Sequence, residues 1–307
     1  ANSFNNLSIG KYSLFLSKRD ERVFYLAYKF KKSLVPMLHD WLDLEINKSF
    51  GREKNKVLLA LLEEARIDIR INSCLTNRKY VKERFLKNKI NVIETKFSPH
   101  GLSISKRFLD NKFNFLQKGL MQIQDEGSQI VSILSGAKKN MRVLDMCAGK
   151  GSKTLALWQE MEQSGELVAT DISASRLNIL KKRIYDLDIK KISVINKIEE
   201  LEKEFDLIVL DVPCSGSGTW RRRPEEAIKL NQKIFNQLLL TQEKILKESV
   251  KLLSSEGCIA YITCSLFKSE NEEQVVKFLS KNINFKLVDL NKTWNQKFNK
   301  KYSGPKH

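Results

Sequence analysis

The chain has 307 residues, of which 42% are hydrophobic, and a net charge of +18. That length suits one large domain with one or two small ones, and no apolar run approaches the ~18 residues that a membrane span requires. The start, Ala1-Asn2-Ser3-Phe4-Asn5-Asn6, is polar and has no signal-peptide pattern, so a cytoplasmic protein is expected, with a monomer as the default. The charge is uneven: +12 over residues 1–120, +1 over 121–290 and +5 over 291–307. A near-neutral body with basic flanks points to a polyanionic partner, whereas a lysine-rich composition alone would spread the charge evenly. The five cysteines, at 74, 147, 214, 258 and 264, are scattered and show neither a disulfide framework nor a Cys-x-x-Cys zinc spacing. Free thiols and no metal site are expected.

In chain order, residues 1–66 read as a helical segment. Apolar residues recur at helical spacing over Glu21 to Leu38 and over Lys54 to Ala65, and lone His39 suits a surface or packing role. Residues 67–120 read as a small α+β lobe. Ile67 to Asn72 alternates like a half-buried strand, Lys79 to Asn88 is a basic helix, and Asn91 to Thr95 is strand-like. This pattern resembles a small RNA-binding module, and an ordinary structural lobe fits it equally.

Residues 121–290 alternate strands with helices, which implies a doubly wound, mostly parallel α/β sheet. The expected strands are Arg142 to Met146, Leu167 to Thr170, Ile192 to Ile195, Leu207 to Leu210 and Cys258 to Thr263. The expected helices are Lys153 to Glu162, Ser175 to Leu187, Asn231 to Leu253 and Glu270 to Ser280. The basic tail, residues 291–307, interleaves Trp294, Phe298 and Tyr302 and is expected to pack loosely, with base stacking as the alternative.

The first strand of this region runs into Cys147-Ala148-Gly149-Lys150-Gly151-Ser152-Lys153-Thr154. Two glycines permit a tight turn and close approach of a ligand, but the spacing is wrong for a phosphate-binding P-loop. Asp171 ends the next strand twenty residues beyond Gly151, where a carboxylate can accept both hydroxyls of a ribose. Capping of the following helix is a compatible role, with Ser173 as an alternative cap. A nucleoside cofactor follows, and the incomplete dinucleotide fingerprint favours S-adenosylmethionine over NAD.

Two further cysteines follow apolar runs: Cys214 in Asp211-Val212-Pro213-Cys214-Ser215-Gly216-Ser217-Gly218, and Cys264 in Tyr261-Ile262-Thr263-Cys264-Ser265. Ligands of open α/β sheets bind at the carboxyl ends of strands, so two thiols there suggest covalent chemistry beside a cofactor. Cys74 and Cys258 are expected to be core cysteines, and Cys147 to offer backbone contacts only.

These residues resemble the RNA cytosine-5 methyltransferases of the bacterial ribosomal-RNA type. Four stretches carry the resemblance, in family order: Gln124 to Gln129, Asp145 to Thr154, Asp211 to Gly218 with Trp220-Arg221-Arg222-Arg223-Pro224, and Tyr261 to Ser265 with Glu270-Asn271-Glu272. The resemblance implies a Rossmann-like class I methyltransferase domain with the smaller lobe before it. It also implies S-adenosylmethionine bound by Cys147, Ala148, Gly149, Lys150, Gly151, Ser152, Lys153, Asp171, Asn196 and Asp211. The loop Gly149-Lys150-Gly151-Ser152-Lys153 departs from the family's Ala-Pro-Gly-Gly-Lys. Asn196-Lys197 stands where an acidic residue is usual. The end, Tyr302 to His307, lacks the family's Thr-Asp-Gly element, so the final strand pair is expected to be missing or rearranged.

The implied chemistry needs a nucleophile, because carbon 5 of cytosine attacks a methyl group only after a thiolate has added to carbon 6. Chemistry alone does not order the thiols. The resemblance makes Cys264 the nucleophile and Cys214 the thiol that assists release, with Asp211 at the ring N3. Lys153, Arg221 and Lys268 are candidate cations for lowering a thiol pKa, and Arg221, Arg222 and Arg223 are candidate phosphate contacts on RNA. Small-subunit (16S) ribosomal RNA is the expected substrate. The alternatives are transfer RNA, or an RNA-binding assembly factor without turnover.

Overall fold

The computed structural model describes residues 8–9, 12–13, 40–61, 63, 65–104, 115–116, 118–201 and 204–298. A minimal antiparallel pair, β1 (Ser8–Ile9) and β2 (Tyr12–Ser13), precedes helices α1 (Asp40–Phe50) and α2 (Lys54–Ala60). The helix expected over Glu21 to Leu38, and His39, lie outside the described residues. The chain divides into two compact units. One comprises Ala1–Ala65, Cys214–Thr241 and Thr263–Val276; the other comprises Arg66–Pro213, Gln242–Ile262 and Lys277–His307.

In the larger unit, β3 (Ile67–Ile71), α3 (Arg78–Lys87), β4 (Val92–Glu94), β5 (Gly101–Ile104) and β6 (Met121–Ile123) make an antiparallel sheet of order β4-β5-β3-β6 with one helix. Asn77 caps α3 by accepting the Tyr80 N–H at 2.8 Å. Val81 and Phe85, one turn apart on the same face, are buried against Ile69, Ile71, Leu102 and Ile104. The short strands β5 and β6 were not among the expected elements.

Next come α4 (Glu126–Leu134), β7 (Arg142–Asp145), α5 (Ser152–Glu160), β8 (Glu166–Thr170), α6 (Ala174–Asp186), β9 (Ile192–Ile195) and β10 (Phe205–Asp211). After α7 (Pro224–Lys229) and α8 (Gln232–Val250), β11 (Leu253–Ile262) completes a parallel sheet of order β11-β10-β7-β8-β9. These are the expected strands to within two residues at each end, except that β11 begins at Leu253, where the preceding helix was expected to end, rather than at Cys258. Near-continuous apolar sequence in β7, β8 and β10 fits strands covered on both faces. Val143, Leu167, Leu207 and Val209 share one core with Leu155, Leu157 and Leu177. Their alternates Leu144, Val168, Ile208 and Leu210 share another with Leu246 and Phe278. The β10–β11 ladder pairs Leu207 with Cys258 and Asp211 with Ile262, but its register shifts between Phe205 and Leu207. Gly257 sits in that irregular stretch, where a Cβ would come within 2.8 Å of the Phe205 carbonyl.

Helices α9 (Glu272–Lys281) and α10 (Leu290–Lys297) follow. Trp294 and Phe298 are buried with Ile133 and Phe97, and the Phe97 and Trp294 rings meet at 5.7 Å. The expectation of a loosely packed tail is therefore corrected through residue 298; Tyr302 lies outside the described residues.

In the smaller unit, Leu42 and Ile46 of α1 and Leu58 of α2 pack on Trp220, Ala227, Leu230, Phe235 and Phe267. Phe267 is edge-on to both Trp220 (5.8 Å) and Phe235 (5.7 Å). Lys48 donates to Ser269 Oγ at 2.9 Å, and the Lys268 N–H donates to Ser49 Oγ at 3.1 Å. The early helices thus brace the turns that follow Cys214 and Cys264.

Candidate active site

In the larger unit, the loop from Cys147 to Gly151 joins β7 to α5. The buried Ala148 donates its N–H to the Thr170 carbonyl at 3.0 Å, and the Lys150 carbonyl accepts Arg183 Nη1 at 2.6 Å. Gly149 and Gly151 both have positive φ, +55° and +82°. At Gly151 a Cβ would also lie 2.2 Å from Leu180 Cδ1, so glycine is required there. Ser152 opens α5, and its carbonyl accepts Gln124 Nε2 at 3.3 Å.

Asp171 follows β8 and is mostly buried. Oδ2 accepts the Gly149 N–H at 2.9 Å and Oδ1 accepts the Ser173 N–H at 2.8 Å. The helix cap itself is Ser173, which accepts the Arg176 N–H at 3.4 Å. Asp171 therefore fixes the glycine turn to the β8 tip and retains lone pairs for a ligand. Lys153 Nζ forms an ion pair with Asp211 Oδ2 at 2.8 Å. Cys147 is partly buried, and loss of solvent around the sulfur pushes its thiol well above the usual range, so it stays protonated. Asn196 is exposed beyond β9, and its Oδ1 accepts Lys181 Nζ at 3.3 Å.

A residue that opens the cofactor-loop stretch, and was given no role by the sequence, lies beneath this loop. Asp145 is fully buried. Thr154 donates to its Oδ2 at 2.6 Å, while Oδ1 has no hydrogen bond of normal geometry. Burial pushes its carboxyl up to about 7, against the pull of the Thr154 hydroxyl and with the Asp211 charge adding to the rise. The signal was an acid closing the apolar run Val143-Leu144.

The smaller unit holds the thiols. Cys214 Sγ and Cys264 Sγ are 3.2 Å apart; Cys264 is exposed and Cys214 partly buried. The hydrogen bond to Cys264, then burial, raises the Cys214 thiol far above its ordinary value. Two expectations for the other cysteines fail, because Cys74 and Cys258 are both exposed. Cys258 shares a strand face with Ala260 and Ile262 but lies at the irregular start of the ladder, beyond the core that they meet. Arg221 and Arg223 are exposed and Arg222 is partly so, just after the buried Trp220.

Among the described residues, no His, Cys, Asp or Glu cluster is arranged to hold a metal ion, and no helix is long and apolar enough to cross a membrane. Comparison with known proteins matches residues 132–305, more than half of the chain, to the 16S rRNA methyltransferase RsmB/F family. The chain belongs to that family. It is 25% identical over 248 residues to ribosomal RNA small subunit methyltransferase B of Xylella fastidiosa, covering 79% of this chain and 59% of that protein. Against the same-named protein of Shewanella oneidensis, it is 32% identical over 178 residues, covering 56% of this chain and 41% of that protein. The chain spans less than two thirds of the length of the first curated relatives it matches, 66% in the longest case. The structure of NSun6 from Pyrococcus horikoshii with SFG shares the fold, with a TM-score of 0.72 at 19% identity, covering 80% of this chain and 88% of that one.

The RsmB/F family's cofactor is S-adenosylmethionine, and the cradle fits it. Asp171 offers acceptors for ribose hydroxyls, and the unpartnered Asp145 oxygen suits an ammonium donor. Gly149 presents open space, with nothing within 4 Å of where a Cβ would stand.

Proposed function

We propose that the protein transfers a methyl group from S-adenosylmethionine to carbon 5 of a cytosine in small-subunit ribosomal RNA, through a covalent adduct at carbon 6. The observation that carries this reading is the thiol pair, 3.2 Å apart, with one thiol on each loop that follows β10 and β11. When bound, S-adenosylmethionine supplies an electrophilic methyl on its sulfonium. Cys264, the exposed sulfur, adds as thiolate to carbon 6. Negative charge then develops on the ring and must be met at N3. Asp211 meets it as a carboxylic acid, giving a proton to N3 and drawing that proton from the Lys153 ammonium, 2.8 Å from its Oδ2. Once carbon 5 carries the methyl group, its proton passes to solvent, the electron pair left behind re-forms the 5,6 double bond and expels the Cys264 sulfur, and Cys214 donates its own proton to that departing thiolate. The cytosine has to be unstacked or already unpaired. Arg221, Arg222 and Arg223 hold its flanking phosphates.

The test is labelled-methyl transfer to ribosomal RNA with Cys264→Ala and Cys214→Ala. The first abolishes transfer. The second accumulates an RNA–protein adduct stable to denaturing electrophoresis. An adduct that builds up on the Cys264 variant would reverse the two roles, and RNA binding without any transfer would favour an assembly factor. Bisulfite mapping of RNA from cells lacking the protein names the target base.

A further inference from the structure

A carboxylate with no task in that scheme ties the two cysteine loops together. Glu270 is fully buried. Its Oε1 accepts the Ser215 N–H at 2.8 Å and its Oε2 accepts the Ser215 hydroxyl at 2.5 Å. Ser215 Oγ and Ser217 Oγ each lie 3.2 Å from Ser265 Oγ. Ser217 Oγ accepts the Leu266 N–H at 2.7 Å, and the Gly218 N–H donates to the Cys264 carbonyl at 2.9 Å. Asn271, the next residue, accepts the Thr263 hydroxyl at 2.6 Å and donates to the Ser265 carbonyl at 3.1 Å. The residues laced together are the immediate neighbours of the thiols: Ser215 after Cys214, and Thr263 and Ser265 around Cys264. Burying a carboxylate is costly unless donors meet it, and an apolar side chain would fill the space without that cost. Two donors that meet Glu270 belong to the residue beside Cys214.

We propose that Glu270 is the positioning residue of the thiol pair, holding the Cys214 loop against the Cys264 loop so that Cys214 keeps its proton and Cys264 attacks. This rests on the transfer reading above. The titratable groups that act on Cys214 are Cys264 and Glu270, and both raise it. Glu270 acts on Cys214 through Ser215 and through its charge.

The experiment has two arms. In the otherwise native protein, Glu270→Gln lowers kcat at least tenfold and leaves KM for S-adenosylmethionine within twofold. In a Cys264→Ser background, iodoacetamide alkylation of Cys214, followed by peptide mass spectrometry across pH, has its midpoint lowered by about one pH unit by Glu270→Gln. A merely structural role would lower the melting temperature and leave that midpoint in place. If Glu270→Gln does not fold, Ser215→Ala removes one arm of the lacing and keeps the charge. It then lowers kcat while the midpoint stays fixed, and a native kcat in Ser215→Ala overturns the proposal. A native kcat together with an unmoved midpoint in Glu270→Gln also overturns it. If the unsubstituted protein transfers no methyl to any RNA, the transfer reading fails and the alkylation midpoint alone decides the role of Glu270.

Discussion

Asp145→Asn isolates the energetic cost of keeping an acid beneath the cofactor loop. The unfolded chain gives up the Asp145 proton near 3.8 and the folded protein near 7. Between those values the folded state holds a proton that the unfolded state has lost, so raising the pH through this window destabilises the fold. A shift of about three pH units corresponds to about 4 kcal/mol. Asparagine stays neutral and lacks this slope. Its buried amide leaves a donor unpaired, a pH-independent penalty of about 1–3 kcal/mol. The quantity to measure is therefore the difference in unfolding free energy between the two proteins, from urea titrations followed by tryptophan fluorescence at pH 4, 5.5, 7 and 8.5. The difference should swing towards the variant by about 4 kcal/mol across that range. Glu94 and Glu243, held low by their lysine and arginine partners, titrate alike in both proteins and cancel. A difference that stays flat with pH would refute the account of Asp145. Bound S-adenosylmethionine should shrink the slope in the unsubstituted protein, since an ammonium beside Asp145 favours its ionised form.

Gly151→Ala forces a side chain into left-handed backbone, which costs about 1–2 kcal/mol, and drives a Cβ towards Leu180. Calorimetric titration should show at least a tenfold loss of S-adenosylmethionine affinity, and native affinity would mean that the loop has another way to turn. Replacing Arg221, Arg222 and Arg223 together by alanine should reduce the slope of log affinity against log salt for single-stranded RNA by about 2, as read by fluorescence anisotropy. An unchanged slope would remove them from the phosphate interface. Lys153→Met should abolish methyl transfer while leaving RNA binding intact in the same anisotropy assay.

The parallel sheet was legible because its strands are short apolar runs, and runs such as Leu207-Ile208-Val209-Leu210 are buried on alternating sides by two different cores. The antiparallel lobe was half legible: Ile67–Ile71 alternates clearly, whereas Met121–Ile123 is too short to announce itself and is held by pairing with β3 across about fifty residues. Cys214 and Cys264 could be singled out by their motifs, but not their 3.2 Å approach. Asp145 and Glu270 stand in stretches that carry the resemblance but had no role of their own, since what marks them is burial and, for Glu270, a partner 55 positions away. Cys258 shows the converse error. Its strand phase is that of core residues, yet a register irregularity just before it leaves the thiol in solvent.

That irregularity also governs where the chain can change length. Residues 254–257 fall outside the regular β10–β11 pairing, which resumes at Leu207 with Cys258 and runs unbroken to Asp211 with Ile262. An inserted residue within 254–257 can be absorbed as a larger bulge, leaving the far end of the strand where it was. A residue deleted between Cys258 and Ile262 has no such slack. It inverts the alternation of the strand and draws the segment leading to Cys264 back by about 3.3 Å. Peptide insertions for labelling should therefore survive on one side of Cys258 and silence the protein on the other, so a single strand has a tolerant end and a forbidden one.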